Sequence, residues 1–290
     1  MGTGSNINPV INLIDESLNK DATITYHLSI QLGLGGFSFC ILDIKRNKYL
    51  GLASFSFQKV HNYQQLSLAI EELVNDNDLL KKKYKTTSIA LVNNKSTLVP
   101  KPLFDKEKIK TYLDFNTEFD GTYNAYSEQL KNSDTLIVFA VPQVIEKTTN
   151  RLFAGAKFLH HSTSLIESLI SNYKNINQKL LFVNVHLSAF EVVLLEGKNL
   201  VFYNSFDYES SEDFIYYLLF ACEQLKLNPE NLKLILMGEV EKNSALYAVL
   251  YKYIRNIDFA ERNDSFEYAY RFNEIPSHFY YNLMNQYLYL

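Results

Sequence analysis

The chain has 290 residues, a net charge of −4, and 47% hydrophobic against 21% charged residues. That length builds one or two folded domains, and the balance excludes a disordered chain and any charge-driven grip on a polyanion, so no nucleic-acid partner is expected. No apolar run reaches the roughly 18 to 20 residues of a membrane span, and residues 1–20 lack a basic start and an apolar signal core; a cytoplasmic protein without direct membrane insertion is expected.

In chain order, residues 1–25 read as a lead-in, with a weak helical pattern in Val10-Ile11-Leu13-Ile14-Leu18. The Met-Gly start is followed by Asn6, which breaks the myristoylation pattern. From Tyr26 to Phe57 two alternating apolar strands flank a glycine turn, and a third strand follows the polar break Lys45-Arg46-Asn47-Lys48. Asn62 and Gln65 stand in capping-box positions before a helix with Leu66, Ala69, Ile70 and Leu73 on one face. Lys81-Lys82-Lys83-Tyr84-Lys85 reads as the solvated end of that helix, with a phosphate patch as the functional alternative.

Ser88–Val92 is the next strand, and Ser96–Pro100 leads into a helix around Lys106 to Phe115. Asn116–Tyr126, with Asp120-Gly121, reads as a flexible loop. Thr135–Val141 is a buried strand, Gln143–Phe153 a helix stopped at Ala154-Gly155, and Lys157–His161 a short strand. Ser164 and Glu167 then suggest a capped helix over Leu165–Tyr173. His160-His161 has no further ligand at metal spacing and reads as a pair of surface strand-end histidines; no metal site is expected.

Leu180 to Phe206 repeats the first three-strand layout, followed by a helix capped by Ser210 and Asp213, the strand Leu232–Met237 and a helix over Ser244–Ile254. In the repeat Gln31 falls on Asn184, Gly33 on His186, Gly36 on Ala189 and Phe37 on Phe190. The pattern implies duplicated α/β units with a cleft between the two hairpin turns: residues 26–178 with an inserted strand–helix subdomain, and residues 179–290 with a C-terminal helix. That helix is expected to start at Pro276-Ser277 and to carry the stripe Tyr280, Leu283, Met284, Tyr287 and Leu288, packed on its own domain or serving a partner. Cys40 in FSFCIL and Cys222 in LLFACEQL read as reduced core thiols, with a disulfide or reactive thiol as the alternative.

This arrangement resembles the actin-like ATPase superfamily, a duplicated ribonuclease H-like fold, and within it the pilus-assembly and cell-division type. The stretch DTLIVFAVPQVIEKTTNRLFAGAKFLHHSTSLIESLI carries that likeness best. The chain is also similar to an uncharacterised bacteroidete family, domain of unknown function 3822, through the segment Glu274-Ile275-Pro276-Ser277-His278-Phe279. The superfamily resemblance implies a phosphate hairpin of the form Asp-x-Gly in each half, its Asp holding hydrated magnesium. Here Gln31-Leu32-Gly33-Leu34-Gly35 keeps the glycines but has a neutral amide for the Asp. Asn184-Val185-His186-Leu187-Ser188 lacks both Asp and first Gly, and the adenosine-contacting Gly-Gly becomes Gly238-Glu239.

Phosphoryl transfer needs a metal to neutralise developing charge, so no ATP or magnesium cofactor is expected. Gln31, Gly33, Gly35, Gly36, Asn184, His186, Ser188 and Gly238 then mark a vestigial cleft. The glycines have a simpler account as tight hairpin packing. A ribonuclease H-type nuclease fails for the same reason, since its first carboxylate falls on Gln31, while Asp43 reads as a solvated turn residue. The expectation is a non-catalytic actin-like scaffold or adaptor with a protein partner. The alternatives are a nucleotide-binding regulator or kinase-like ATPase with a rebuilt metal site, and a structural subunit of a homo-oligomer.

Overall fold

The structure, a computed structural model, describes residues 9–117 and 120–290. Met1, Gly2 and Asn6, and part of the loop expected at Asn116–Tyr126, lie outside the described residues. The first unit runs β1 (Ile11–Ile14), β2 (Tyr26–Gly33), β3 (Gly36–Asp43), β4 (Lys48–Ser56), α1 (Tyr63–Asp76) and β5 (Thr86–Leu91). An insertion follows as β6 (Ser96–Pro100), α2 (Ile109–Asn116), β7 (Tyr123–Gln129) and β8 (Thr135–Pro142), before α3 (Gln143–Leu152), β9 (Lys157–His160) and α4 (His161–Tyr173). The second unit is β10 (Lys179–Val185), β11 (Ala189–Glu196), β12 (Asn199–Asp207), α5 (Ser211–Gln224), β13 (Lys233–Gly238), α6 (Ala245–Tyr253) and β14 (Ile257–Phe259). β15 (Glu267–Tyr268) and α7 (Tyr281–Asn285) close the chain.

The two main sheets share one topology. β4-β3-β2-β5-β9 and β12-β11-β10-β13-β14 have the same order, with two antiparallel pairings followed by two parallel ones. Gln31 pairs with Ser38 as Asn184 pairs with Glu191, so the repeat read from sequence holds in register. The insertion forms its own antiparallel sheet, β6-β8-β7.

Both sheets are covered on both faces, which is why their central strands are apolar almost throughout. In β3, Phe37, Phe39 and Ile41 face the α1 side, whereas Cys40 and Leu42 face the C-terminal segment. α4 lies between the units: Leu165, Ile166, Leu169 and Ile170 share one core with Leu28 and Ile30 of the first sheet and Phe182 and Met237 of the second. A helix enclosed on every side must satisfy its own polar groups. Ser164 and Ser168 do so by donating to the carbonyls of His161 and Leu165 at 3.1 and 2.8 Å.

Several expectations are corrected. Ile11–Ile14 is a strand on the edge of β4, not a helical lead-in. Lys81–Lys83 lie on a turn beyond the end of α1, where Lys81 meets Asp78 and Lys82 meets Asp21. α4 starts at His161, so Ser164 is inside it, and the buried Glu167 instead accepts from the backbone N–H groups of Lys131 and Asn132. The second half of the expected loop is strand β7. Asp43 is buried and accepts from the N–H groups of Lys45 and Arg46, fixing the β3–β4 turn.

The largest difference concerns the C-terminus. After β14 the chain returns to the first unit, where β15 pairs with β4, so residues 267–290 do not all belong to the second unit. No helix starts at Pro276; α7 spans Tyr281–Asn285 and passes into a 3₁₀ turn over Gln286–Tyr289. Leu283 and Met284 are buried against Leu13, Cys40, Leu42, Tyr49 and Phe272, and the Tyr49 hydroxyl donates to the Met284 carbonyl. Tyr280 and Tyr287 are half-buried, with Tyr287 against the His27 ring, and only Leu288 of the stripe is exposed. Cys40 and Cys222 are free and buried, and burial pushes their thiols up to about 12 and about 11. Among the described residues, no helix is long and apolar enough to cross a membrane.

Candidate functional site

The β2–β3 and β10–β11 hairpin turns face one cleft of about 800 Å³. Gln31, Gly33, Gly35, Gly36, His186 and Ser188 line it, together with Tyr280 from the C-terminal segment. Asn184 donates to the lining residue Glu191, and Gly238 precedes the lining residue Glu239. Gly33, Gly36 and Gly238 are there for packing, whereas a Cβ on Gly35 would meet nothing within 4 Å. A Cβ on Gly36 would meet the Phe55 carbonyl oxygen at 2.5 Å. Gly238 has φ +85°, and a Cβ there would lie 2.1 Å from the Val185 carbonyl oxygen. Its close approach lets β13 end against β10, with Glu239 N donating to that same oxygen at 2.8 Å.

At the base of the cleft lies a buried polar cluster that spacing in the sequence does not reveal. Glu191, on β11 opposite Asn184, is 1% exposed. Its Oε1 is 2.7 Å from His161 Nε2 and accepts from the Tyr203 hydroxyl at 3.1 Å. Its Oε2 is 3.1 Å from His186 Nε2 and accepts from Asn184 Nδ2 at 2.8 Å. His161 Nδ1 is 2.9 Å from the Leu91 carbonyl oxygen, which can only accept, so that nitrogen carries a proton. His161, His186 and Glu191 bring one ligand atom each to within 4.8 Å of one another.

His160 and His161 are therefore both buried, correcting the surface reading. His160 bonds Ser162 and Asn93 and is held well below its usual pKa by burial and by its neighbour His161. Burial opposes charge at both ends of the His186–Glu191 contact. It acts to raise the Glu191 carboxyl, but His161 and His186 outweigh it and hold that group well below the usual range. It acts to lower the His186 imidazole, but the hydrogen bond and charge of Glu191 leave it above its ordinary value.

The remaining lining is one-signed. Glu191, Asp207, Glu239 and Glu241 line the cleft, and among the described residues no Lys or Arg does. The buried Gln31 Oε1 has no hydrogen-bond partner. Magnesium bound as in the actin-like enzymes takes carboxylate oxygens, and both positions that would supply them are amides. A neutral amide offers an acceptor oxygen there but no charge.

Residues 15–257 match the family described as Protein of unknown function (DUF3822). The chain belongs to that family. It is similar to a Bacteroides thetaiotaomicron protein with an actin-like ATPase fold and unknown function, at 25% identity and TM-score 0.75, covering 84% of this chain and 93% of that one. It is also similar to the PilM–PilN type IV pilus biogenesis complex, at 13% identity and TM-score 0.61, covering 90% and 97%. No curated protein matches it. This DUF3822 chain thus has the actin-like ATPase fold, as its duplicated strand order implies.

The sequence did carry one signal for the buried cluster. Glu191 is the lone acid inside the apolar run Phe190–Leu195, and a carboxylate in a buried strand needs partners. Nothing in the spacing says that α4 would bring His161 to it.

Proposed function

We propose that this DUF3822 protein is a non-catalytic actin-like scaffold or adaptor that works through a protein partner rather than through nucleotide turnover. The observation that carries this reading is the pair Gln31 and Asn184, neutral amides at the two equivalent strand positions where the fold's enzymes place metal-holding carboxylates. Four carboxylates and, among the described residues, no Lys or Arg around the cleft add repulsion toward a triphosphate. The likeness to the PilM–PilN complex supports a protein partner on this fold. So does the aromatic surface of α5, where Tyr216 and Phe220 are 64% and 47% exposed and stack on each other.

Calorimetric titration of the full chain with Mg-ATP tests the reading. No saturable heat and no phosphate release are expected. Saturable binding, or turnover that Gln31→Ala abolishes, overturns it. A photo-crosslinker at Tyr216 in the native cell then identifies the partner, and capture of a second copy of the chain would make the protein a homo-oligomer subunit instead.

A further inference from the structure

The cluster at the base of the cleft has the make-up of a cation site. Two imidazole nitrogens and one carboxylate converge there. The donor set suits zinc, cobalt or nickel rather than magnesium, which takes oxygen ligands. We propose that His161, His186 and Glu191 bind one divalent transition-metal ion of the zinc class, with the remaining coordination position open to the cleft.

Three observations point the same way. The first is the pair of contacts between ring nitrogens and one carboxylate. His161 Nε2 faces Glu191 Oε1 at 2.7 Å, and His186 Nε2 faces Glu191 Oε2 at 3.1 Å. A nitrogen lone pair and a carboxylate oxygen repel at those distances, so each contact needs either a proton or a metal ion. A single divalent ion serves both. Tetrahedral ligands at about 2.0 to 2.1 Å from zinc stand about 3.3 Å apart; the two imidazole–carboxylate contacts are a little shorter than that, and one donor atom from each of the three residues lies within 4.8 Å of the others, so small side-chain shifts bring them to that spacing.

The second is the outer shell. His161 Nδ1–H is fixed by the Leu91 carbonyl, which turns Nε2 toward the site. Each Glu191 oxygen keeps a further donor, Tyr203 on one and Asn184 on the other, which hold the carboxylate after the imidazole contacts give way to metal. Ligands oriented in this way are characteristic of metal sites. The third is the approach. His186 has 18% of its side chain exposed and sits at the cleft wall, giving an ion a route in. Asp207, Glu239 and Glu241 line that route, and the buried Gln31 Oε1 is an unpartnered acceptor in the same cleft. The inference does not depend on the scaffold reading.

The test uses the full chain, stripped with a chelator and titrated near neutral pH with Zn²⁺ by calorimetry and with Co²⁺ by absorption. One equivalent of Zn²⁺ per chain and the strong visible bands of four-coordinate cobalt are expected. His186→Ala should weaken binding at least about 100-fold, and Tyr203→Phe about 10- to 100-fold. His61→Ala, an exposed histidine elsewhere, should bind as the parent does. Absence of a stoichiometric heat in the parent overturns the proposal, as does undiminished binding by folded His186→Ala. If that variant does not fold, the parent cobalt spectrum decides: four-coordinate bands support the site, and a hexa-aqua spectrum refutes it.

Discussion

Replacing Leu283 by alanine tests whether the C-terminal segment belongs to the core or waits for a partner. Leu283 is fully buried and packs with Leu13, Cys40, Leu42, Leu52, Phe272 and Met284. Truncation in such a setting loses the transfer energy of the removed atoms and leaves a cavity, at about 2 to 5 kcal/mol. Unfolding entropy is about 2.1 cal/mol/K per residue, or about 0.6 kcal/mol/K for 290 residues. A loss of about 3 kcal/mol therefore lowers Tm by about 5 °C. Leu288, 39% exposed, should cost under about 1 kcal/mol when cut to alanine, or less than about 2 °C. Paired thermal melts by circular dichroism compare the two. A Leu283→Ala melt within 1 °C of the parent refutes the packing argument.

Gly238→Ala places a Cβ on backbone at φ +85° and against the Val185 carbonyl, so a loss of more than about 2 kcal/mol in urea unfolding is expected. Gly35→Ala meets no atom within 4 Å and should be neutral; equal costs at both positions would contradict the steric account. Burial pushes the His27 imidazole down to about 3, so the unfolded chain binds the extra proton between about pH 6.5 and 3, and stability falls as pH falls through that window. From pH 7 to pH 5 His27 contributes about 2 kcal/mol of that loss. His27→Gln should flatten the fall in denaturant midpoint by that amount, and an unchanged slope counts against it.

How much was legible in the sequence depended on the range of the forces involved. Period-two alternation in β2 and β3 and the Ser210–Asp213 capping box are local, and they appear in the structure at the expected residues. Ile11–Ile14 was ambiguous because Ile11, Ile14 and Leu18 fit a helical stripe as well as an edge strand. It is a strand because β4 offers it a ladder, Ile11 to Ser54 through Ile14 to Gly51. Tyr280–Leu288 carried a helical stripe, but Gln286 Nε2 reaches the Ile30 carbonyl and Asn282 the His161 carbonyl. Those polar anchors, made to distant strands and helices, fix a short turn of helix instead of a long one.

The candidate site shows the same divide, and also why the cleft is chemically lopsided. The two units match position by position: Gly33 faces the cleft where His186 does, and Ser38 stands where Glu191 stands. In the first unit these places carry small or neutral groups, and Ser38 needs only the Ser54 hydroxyl 2.8 Å away. In the second unit they carry an imidazole and a carboxylate that cannot be buried without partners. α4 supplies the missing partner because it is wedged between the sheets with His161 at its first position. The two hairpins are thus equivalent in register, and the second alone carries ionisable groups at these two positions. The asymmetry gathers one buried carboxylate and two imidazoles on the second unit's side of the cleft, the groups proposed above to take a metal ion.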